Sequence, residues 1–299
     1  MKRLLPTLLA ALCAAGLATG AQAQTLEKIK KEGAIVIGHR DASIPFSYLD
    51  DKQQPIGYSM DLCMKIVDAV KAELKIPNLQ VKLNQVTSAT RIPLMANGTV
   101  DMECGSTTNN IERQKQVAFV TTTFVTANRL VSKKASKIST LADMKGKAIV
   151  STSGTTNIKQ ITELNASRNL GMNVMAAKDH AESFLMVETG RAVAFAMDDI
   201  LLYSLVASSK APADYTITNE ALSVEPYGIM IRKDDPGFKK VADGAIQALF
   251  KSGEINKIYA KWFQSAIPPK NINLNLPMTE ALKKVVAKPT DSGDPAVYQ

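Results

Sequence analysis

Cysteine, histidine and long apolar runs are scarce in this sequence, and each scarcity removes a class of function. Of 299 residues, three are cysteine and two are histidine. There is no CxxC, no HExxH and no histidine cluster, so the ligand spacing of a metal site is missing. After the first two dozen residues, no stretch is long and apolar enough to span a bilayer. The formal charge is +8, yet the lysines ("SKKASK", "FKK") are scattered rather than striped with aromatic residues. That pattern reads as a solvated surface and speaks against nucleic acid as a partner. No Gly/Ser-rich linker interrupts the chain either.

What is present begins with a leader. In "MKRLLPTLLAALCAAGLATGAQAQ", Lys2 and Arg3 precede an apolar stretch that closes with Ala21-Gln22-Ala23. This is the pattern of a secretory signal peptide over residues 1–23, with a mature chain from Gln24 that is soluble and periplasmic. A membrane anchor fits less well, because the apolar stretch is short and holds Pro6. Cys13 follows Leu12, where lipidation would want a small residue. Removing the leader leaves Cys63 and Cys104, a candidate disulfide in an oxidising compartment. Two buried free thiols are the alternative, and the sequence leaves the choice open.

The remaining residues suffice for roughly two domains at ~150 residues each. They alternate apolar strands with amphipathic helices. "AIVIGHR" (34–40) reads as a buried strand, and "GYSMDLCMKIVDAVKAEL" (57–74) as a helix with Leu62, Ile66, Val70 and Leu74 on one side. "LQVKLNQV" is a strand, "ATRIPLMANG" a short helix closed by Gly98, and "TVDMECG" the next strand. The alternation restarts at "KAIVS" (147–151) and runs through "NVMAAK", "AESFLMVETGR" and "AVAFAMDD". This order predicts an α/β protein of two lobes, each a mostly parallel sheet flanked by helices. Two strand-like segments, 125–134 and 223–233, cross between them. The first lobe is then discontinuous, 24–126 plus 225–299, and the second spans 127–224. "PGFKKVADGAIQALFKSGEINKIYAKWF" reads as amphipathic helix and the tail from "PPKNINLNLP" as loop.

In such sheets ligands sit beyond the carboxyl ends of the strands. Arg40, Ser43 and Phe46 follow the first strand, Ser88 and Arg91 the second, and Gly105, Ser106, Thr108 and Arg113 the third. The second half contributes Thr155 and Thr156 at a helix start, then His180, then Asp198 and Asp199. Singly each has a plain explanation: "SGTT" is a good N-cap, Arg113 a surface arginine, Asp198 a helix cap, His180 a loop residue. Together, three arginines and a row of hydroxyls at strand ends suit a small ligand with more than one carboxylate.

With those segments in view, the chain resembles the periplasmic amino-acid-binding proteins of ABC importers, which have the type II solute-binding fold, and within them the glutamate/aspartate branch. "VIGHRDASIPFSY", "VTSATRIPL", "ECGSTTNNIERQK", "SGTTN", "AKDHAESF", "GRAVAFAMDD" and "IPPKN" match in order across the mature chain. The resemblance implies that Thr108 and Arg113 hold a ligand α-carboxylate, joined by "SGTT" from the second lobe. It implies that Asp198 takes the α-ammonium, and that Arg40, Ser88, Arg91 and His180 receive the side-chain carboxylate. Ile229 stands where relatives can carry a second cysteine, so no disulfide is implied.

The expected function is capture of an acidic amino acid by lobe closure and delivery to a membrane permease, by a monomer without cofactor or metal. The same fold hosts enzymes, and a cyclohexadienyl dehydratase acting on a dicarboxylate is the alternative. His180 is the only cleft histidine available to such chemistry. A sensory domain would need a transmembrane or signalling extension.

Overall fold

A computed structural model of the protein describes residues 25–299, so the expected signal peptide lies outside the described residues. The chain enters as α1 (Thr25–Glu32) and β1 (Ala34–His39), then makes a small three-stranded turn of β2 (Ala42–Ser43), β3 (Ser47–Leu49) and β4 (Pro55–Ile56). There follow α2 (Tyr58–Leu74), β5 (Gln80–Gln85), α3 (Arg91–Ala96), β6 (Met102–Cys104), α4 (Ile111–Gln114) and β7 (Val117–Phe119). The long β8 (Phe124–Lys133) leads to β9 (Ala148–Thr152), α5 (Thr156–Ser167), β10 (Asn173–Ala177), α6 (His180–Glu188), β11 (Ala194–Asp198), α7 (Asp199–Ser208) and β12 (Tyr215–Ile217). The return runs through β13 (Ser223–Tyr227) and β14 (Met230–Arg232) into α8 (Pro236–Ser252), α9 (Glu254–Phe263) and α10 (Glu280–Ala287).

Two sheets organise these elements. One has the order β5-β1-β6-β14-β7, the other β10-β9-β11-β8-β12 with β13 also on β8. The "AIVIGH" run is buried along nearly its whole length because β1 is flanked by parallel neighbours on both edges. β5 alternates and stays partly exposed because it is the edge strand. Alternation alone predicts mostly parallel sheets, whereas both are mixed. β14 and β7 pair antiparallel in the first, β8 antiparallel with β11 and β12 in the second. The cause is the crossings: a strand arriving from the other lobe has no helix to reverse it, so it enters against the local direction.

The two crossing strands pair with each other, from Ser223 opposite Asn128 to Tyr227 opposite Phe124. At the Phe124–Tyr227 end of this ribbon an aromatic cluster forms. Phe124 lies 5.0 Å from Phe46 and 4.9 Å from Phe263, Phe46 lies 5.2 Å from Tyr227, and Tyr259 lies 4.4 Å from Phe263. Such ring pairs add to ordinary burial and fix where the ribbon leaves the first lobe. Gly57 is needed here: its φ is 140°, and a Cβ would meet the Phe46 carbonyl oxygen at 2.2 Å. The close approach lets the backbone N–H groups of Tyr58 and Ser59 donate to Pro45 and Phe46, capping α2 without a side chain.

Two C-terminal features differ from the sequence expectation. The long helical run is broken at Gly253, in the left-handed conformation at φ 75°, into α8 and α9. The tail also folds: Thr279 caps α10, which buries Leu282 and Val285 on one face, and the Tyr298 hydroxyl meets Thr122 Oγ1 at 2.8 Å. None of the described helices is long and apolar enough to cross a membrane.

Cys63 of α2 and Cys104 of β6 are joined by a disulfide. Its 41-residue separation gives about 4 kcal/mol of stabilisation on the chain-entropy account. The double variant Cys63→Ser/Cys104→Ser should therefore unfold at lower urea, with a stability loss of about 3–4 kcal/mol. Superimposed denaturation curves for oxidised wild type and variant would remove the bond from the stability account.

Candidate functional site

The carboxyl ends of β1, β5 and β6 in one lobe face those of β9 and β11 in the other. Arg40 leaves β1 with its N–H bonded to Ser47 Oγ at 2.9 Å, and its side chain is 1% exposed. Arg91 opens α3 above a Thr87–Thr90 turn and is 2% exposed. Its Nη1 donates to the Ser106 carbonyl at 3.2 Å and to Thr107 Oγ1 at 2.6 Å. Arg113 is set by Asn110, whose side chain caps α4 on the Arg113 N–H. Its Nη1 donates to the Thr108 carbonyl at 2.8 Å, and its Nη2 reaches across the cleft to the Gly154 carbonyl at 3.2 Å.

The cleft is closed at this point. Gly154 has φ +75°, and a Cβ there would lie 2.5 Å from Ala89 Cα and 2.7 Å from the Ser88 carbonyl. Only a glycine lets the β9–α5 loop sit on residues 88–89.

Around the arginines, several polar atoms are buried without a partner among the described residues. They are Arg40 Nε and Nη1, Arg91 Nε, Ser43 Oγ, Ser88 Oγ and Ser106 Oγ, with one carboxylate oxygen, Glu103 Oε1, beside them. Buried donors are normally satisfied, so their concentration in one cleft marks it as a place for an acceptor-rich ligand. Burial, then the neighbouring Arg91 charge, lowers Arg40 to about 10 and Arg113 to about 9, so both stay charged at neutral pH. Burial lowers Arg91 too.

The second lobe supplies His180, the first residue of α6, 2% exposed. Its Nδ1 is 2.8 Å from Thr152 Oγ1, which is 2.9 Å from Ser183 Oγ. When Thr152 donates to Nδ1, the Nε2–H is left to donate to an anion. Burial first, and then Arg40 and Arg91, hold the ring well below its ordinary value, hence neutral. Asp198 is 3% exposed and does not cap α7 with its side chain. It accepts from Asn157 Nδ2 at 2.7 Å and from the Tyr227 hydroxyl. Burial, then Glu225, pushes its carboxyl up to about 7, against the opposing pull of Tyr227 and Asn157.

Other expected residues turn elsewhere. Thr155 Oγ1 caps α5 and bonds the Thr152 carbonyl, and Thr156 Oγ1 donates to Glu225 at 2.9 Å. Both hydroxyls thus have partners within the protein. Phe46 belongs to the aromatic cluster, and Asp199 accepts from Thr126 and Arg129 on β8. Gly105 stays at the cleft: a Cβ there would lie 2.1 Å from Glu103 Oε1, and its carbonyl takes a 2.7 Å bond from Ser59. Sequence reasoning missed Glu103, Thr107, Asn157 and Tyr227. Glu103 had a signal, an acid within an apolar strand, and Asn157 stood beside "SGTT". Tyr227 lies on a crossing strand, outside any strand-end search. Among the described residues no cluster of three or more His, Cys, Asp or Glu could hold a metal ion.

Residues 35–265 match the family described as bacterial extracellular solute-binding proteins, family 3. The chain is 55% identical to an L-glutamate/L-aspartate-binding protein of Pseudomonas aeruginosa, over 97% of this chain and 98% of that one. It is 50% identical to a glutamate/aspartate import solute-binding protein of Escherichia coli, over 92% and 91%. Its fold is similar to an ancestral arginine-binding protein bound to arginine, with a TM-score of 0.69 and 27% identity over 77% of this chain and 98% of that one. A cysteine-binding protein from Campylobacter jejuni shares the fold at a TM-score of 0.72 and 23% identity, over 85% and 96%.

The Asp198 environment has a pH signature. Unfolded, this carboxyl ionises near 3.8, whereas the fold holds the proton up to about 7. Its contribution is therefore intact below about pH 4 and lost as pH rises towards 7. His180 runs the other way, because the fold keeps it neutral and loses stability as pH falls below 6.5. Comparing Asp198→Asn with wild type isolates the carboxyl. The ligand-free variant should gain on wild type as pH rises, reaching roughly 2–4 kcal/mol near pH 7. A stability difference that is flat from pH 4 to 8 in urea titrations would refute this assignment.

Proposed function

The chain belongs to family 3 of the bacterial extracellular solute-binding proteins, and we propose that it captures glutamate or aspartate between its lobes and delivers it to the permease of an ABC importer. One observation carries the choice of ligand: three buried guanidinium groups in one cleft, with unpartnered donors aimed among them. Two carboxylates answer that arrangement better than one. The names of the Pseudomonas and Escherichia relatives agree. They are named for binding and import, and nothing in the cleft favours the dehydratase reading. His180 is neutral and tied to Thr152, and Asp198 already accepts two hydrogen bonds.

Arg113 and the Thr108 loop take the α-carboxylate, with backbone groups of the Thr155–Thr156 helix start closing over it, since the hydroxyls of that pair are engaged. Asp198 has lone pairs left for the α-ammonium, whose charge favours its ionised form. Arg40, Arg91, Ser43, Ser88 and His180 meet the side-chain carboxylate, and Ser106 lines the floor between the two ends. The moving bodies are 24–126 with 225–299, and 127–224, turning about the β8–β13 ribbon. The protein works as a periplasmic monomer after loss of residues 1–23, without cofactor.

An amide in place of the side-chain carboxylate leaves Arg40 and Arg91 facing a neutral group in a dry cleft, a penalty of several kcal/mol. Glutamine should bind at least ~100-fold more weakly than glutamate in calorimetric titration. Equal affinities would overturn the acidic-ligand reading and leave the family assignment standing.

A further inference from the structure

Beside Arg91 lies a pair of fully buried polar residues, Thr107 and Glu103. Thr107 is fully buried, and its hydroxyl oxygen accepts from Arg91 Nη1 at 2.6 Å. Its single proton goes to Glu103 Oε2, also at 2.6 Å. Glu103 is fully buried on β6, with Gly38 of β1 and Met230 of β14 beside it. The space for its carboxylate exists because residue 105 is glycine, since a Cβ there would fall 2.1 Å from Oε1 and 3.0 Å from Arg40 Cγ.

We infer that Thr107 and Glu103 are positioning residues that orient Arg91 toward the ligand's side-chain carboxylate, and so help set the preference for an acidic side chain. The inference rests on the proposed reading of the cleft. A hydroxyl has one O–H to donate, and here a carboxylate accepts that hydrogen bond, so a lone pair is left turned to the guanidinium. The carboxylate end of the chain strengthens both bonds. The intervening hydroxyl also matters for what it prevents. A carboxylate in direct contact with Arg91 would occupy the guanidinium fork inside the protein. The relay fixes Nη1 alone, together with the Ser106 carbonyl, and leaves Nε without a partner among the described residues.

The test uses the full-length mature protein, glutamate by calorimetry, and glutamine by competition against glutamate. Thr107→Val keeps the shape and removes both bonds; it should weaken glutamate by about 10–100-fold and narrow the glutamate-to-glutamine ratio by a similar factor. Thr107→Ser retains the hydroxyl and should restore both. Glu103→Gln keeps an acceptor for Thr107 without the charge and should fall between. Wild-type affinity in Thr107→Val overturns the inference, as does a loss with an unchanged ratio, or a serine variant that fails to rescue. Should Thr107→Val not fold, Glu103→Gln and Thr107→Ser still decide, by an intermediate and a restored ratio or by neither. A wild type that does not prefer glutamate overturns the proposed function itself, a different outcome from a preference that Thr107→Val leaves intact.

Discussion

Burying a guanidinium group away from water is expensive, and this chain buries three in one cleft: Arg40, Arg91 and Arg113 are each less than a tenth exposed. Carbonyls of Ser106, Thr108 and Gly154 accept hydrogen bonds from Arg91 and Arg113, and Glu103 balances part of the charge through Thr107. The surroundings adjust to what is left. His180 is kept neutral by burial and then by Arg40 and Arg91, and Asp198 shares its oxygens with Asn157 and Tyr227. Glycines 105 and 154 stand where any side chain would collide, the first with a carboxylate and the second with the opposite lobe. In the proposed reading, Arg113, one of the same arginines that would meet an anionic ligand, also bonds the opposite lobe at Gly154.

The proposed capture of a ligand calls for one rigid wall and one that moves. The first lobe supplies the rigid wall. The disulfide ties α2 to the end of β6, and one residue further on Ser59 grips the Gly105 carbonyl, so the loop that carries Ser106 to Thr108 is held from below. The Phe46–Phe124–Tyr227–Phe263 cluster then anchors the ribbon of crossing strands to the same lobe. In the proposed closing motion the second lobe turns about the paired strands β8 and β13.

The fold was largely legible, because strand-helix alternation is a local signal and β1, α2 and β6 declare themselves by hydrophobic period. The placement of the arginines and Asp198 at the cleft was legible for a related reason, since each lies at or beyond the carboxyl end of a strand. Direction was harder to read: the antiparallel entry of β8 and β14 follows from where distant segments return. Hydroxyl roles were equally hidden. Thr155 and Thr156 look alike in sequence, yet the cap of α5 claims one and Glu225 the other. Asp198 and Asp199 are adjacent, and the register of β11 against β8 turns the second to Arg129. Tyr227 and Thr107 act through contacts made only after folding. The tail helix was missed because it is only about two turns long, with Leu282 and Val285 buried within a polar segment, and the Cys63–Cys104 pairing depended on geometry alone.

The most direct test is a crystal structure of the protein with glutamate. The account predicts the α-carboxylate on Arg113, the ammonium on Asp198 and the side-chain carboxylate within hydrogen-bonding distance of Arg91 or Arg40, with Gly154 still seated on Ala89. A glutamate bound in the reverse orientation, or one whose side-chain carboxylate meets neither arginine, would contradict it.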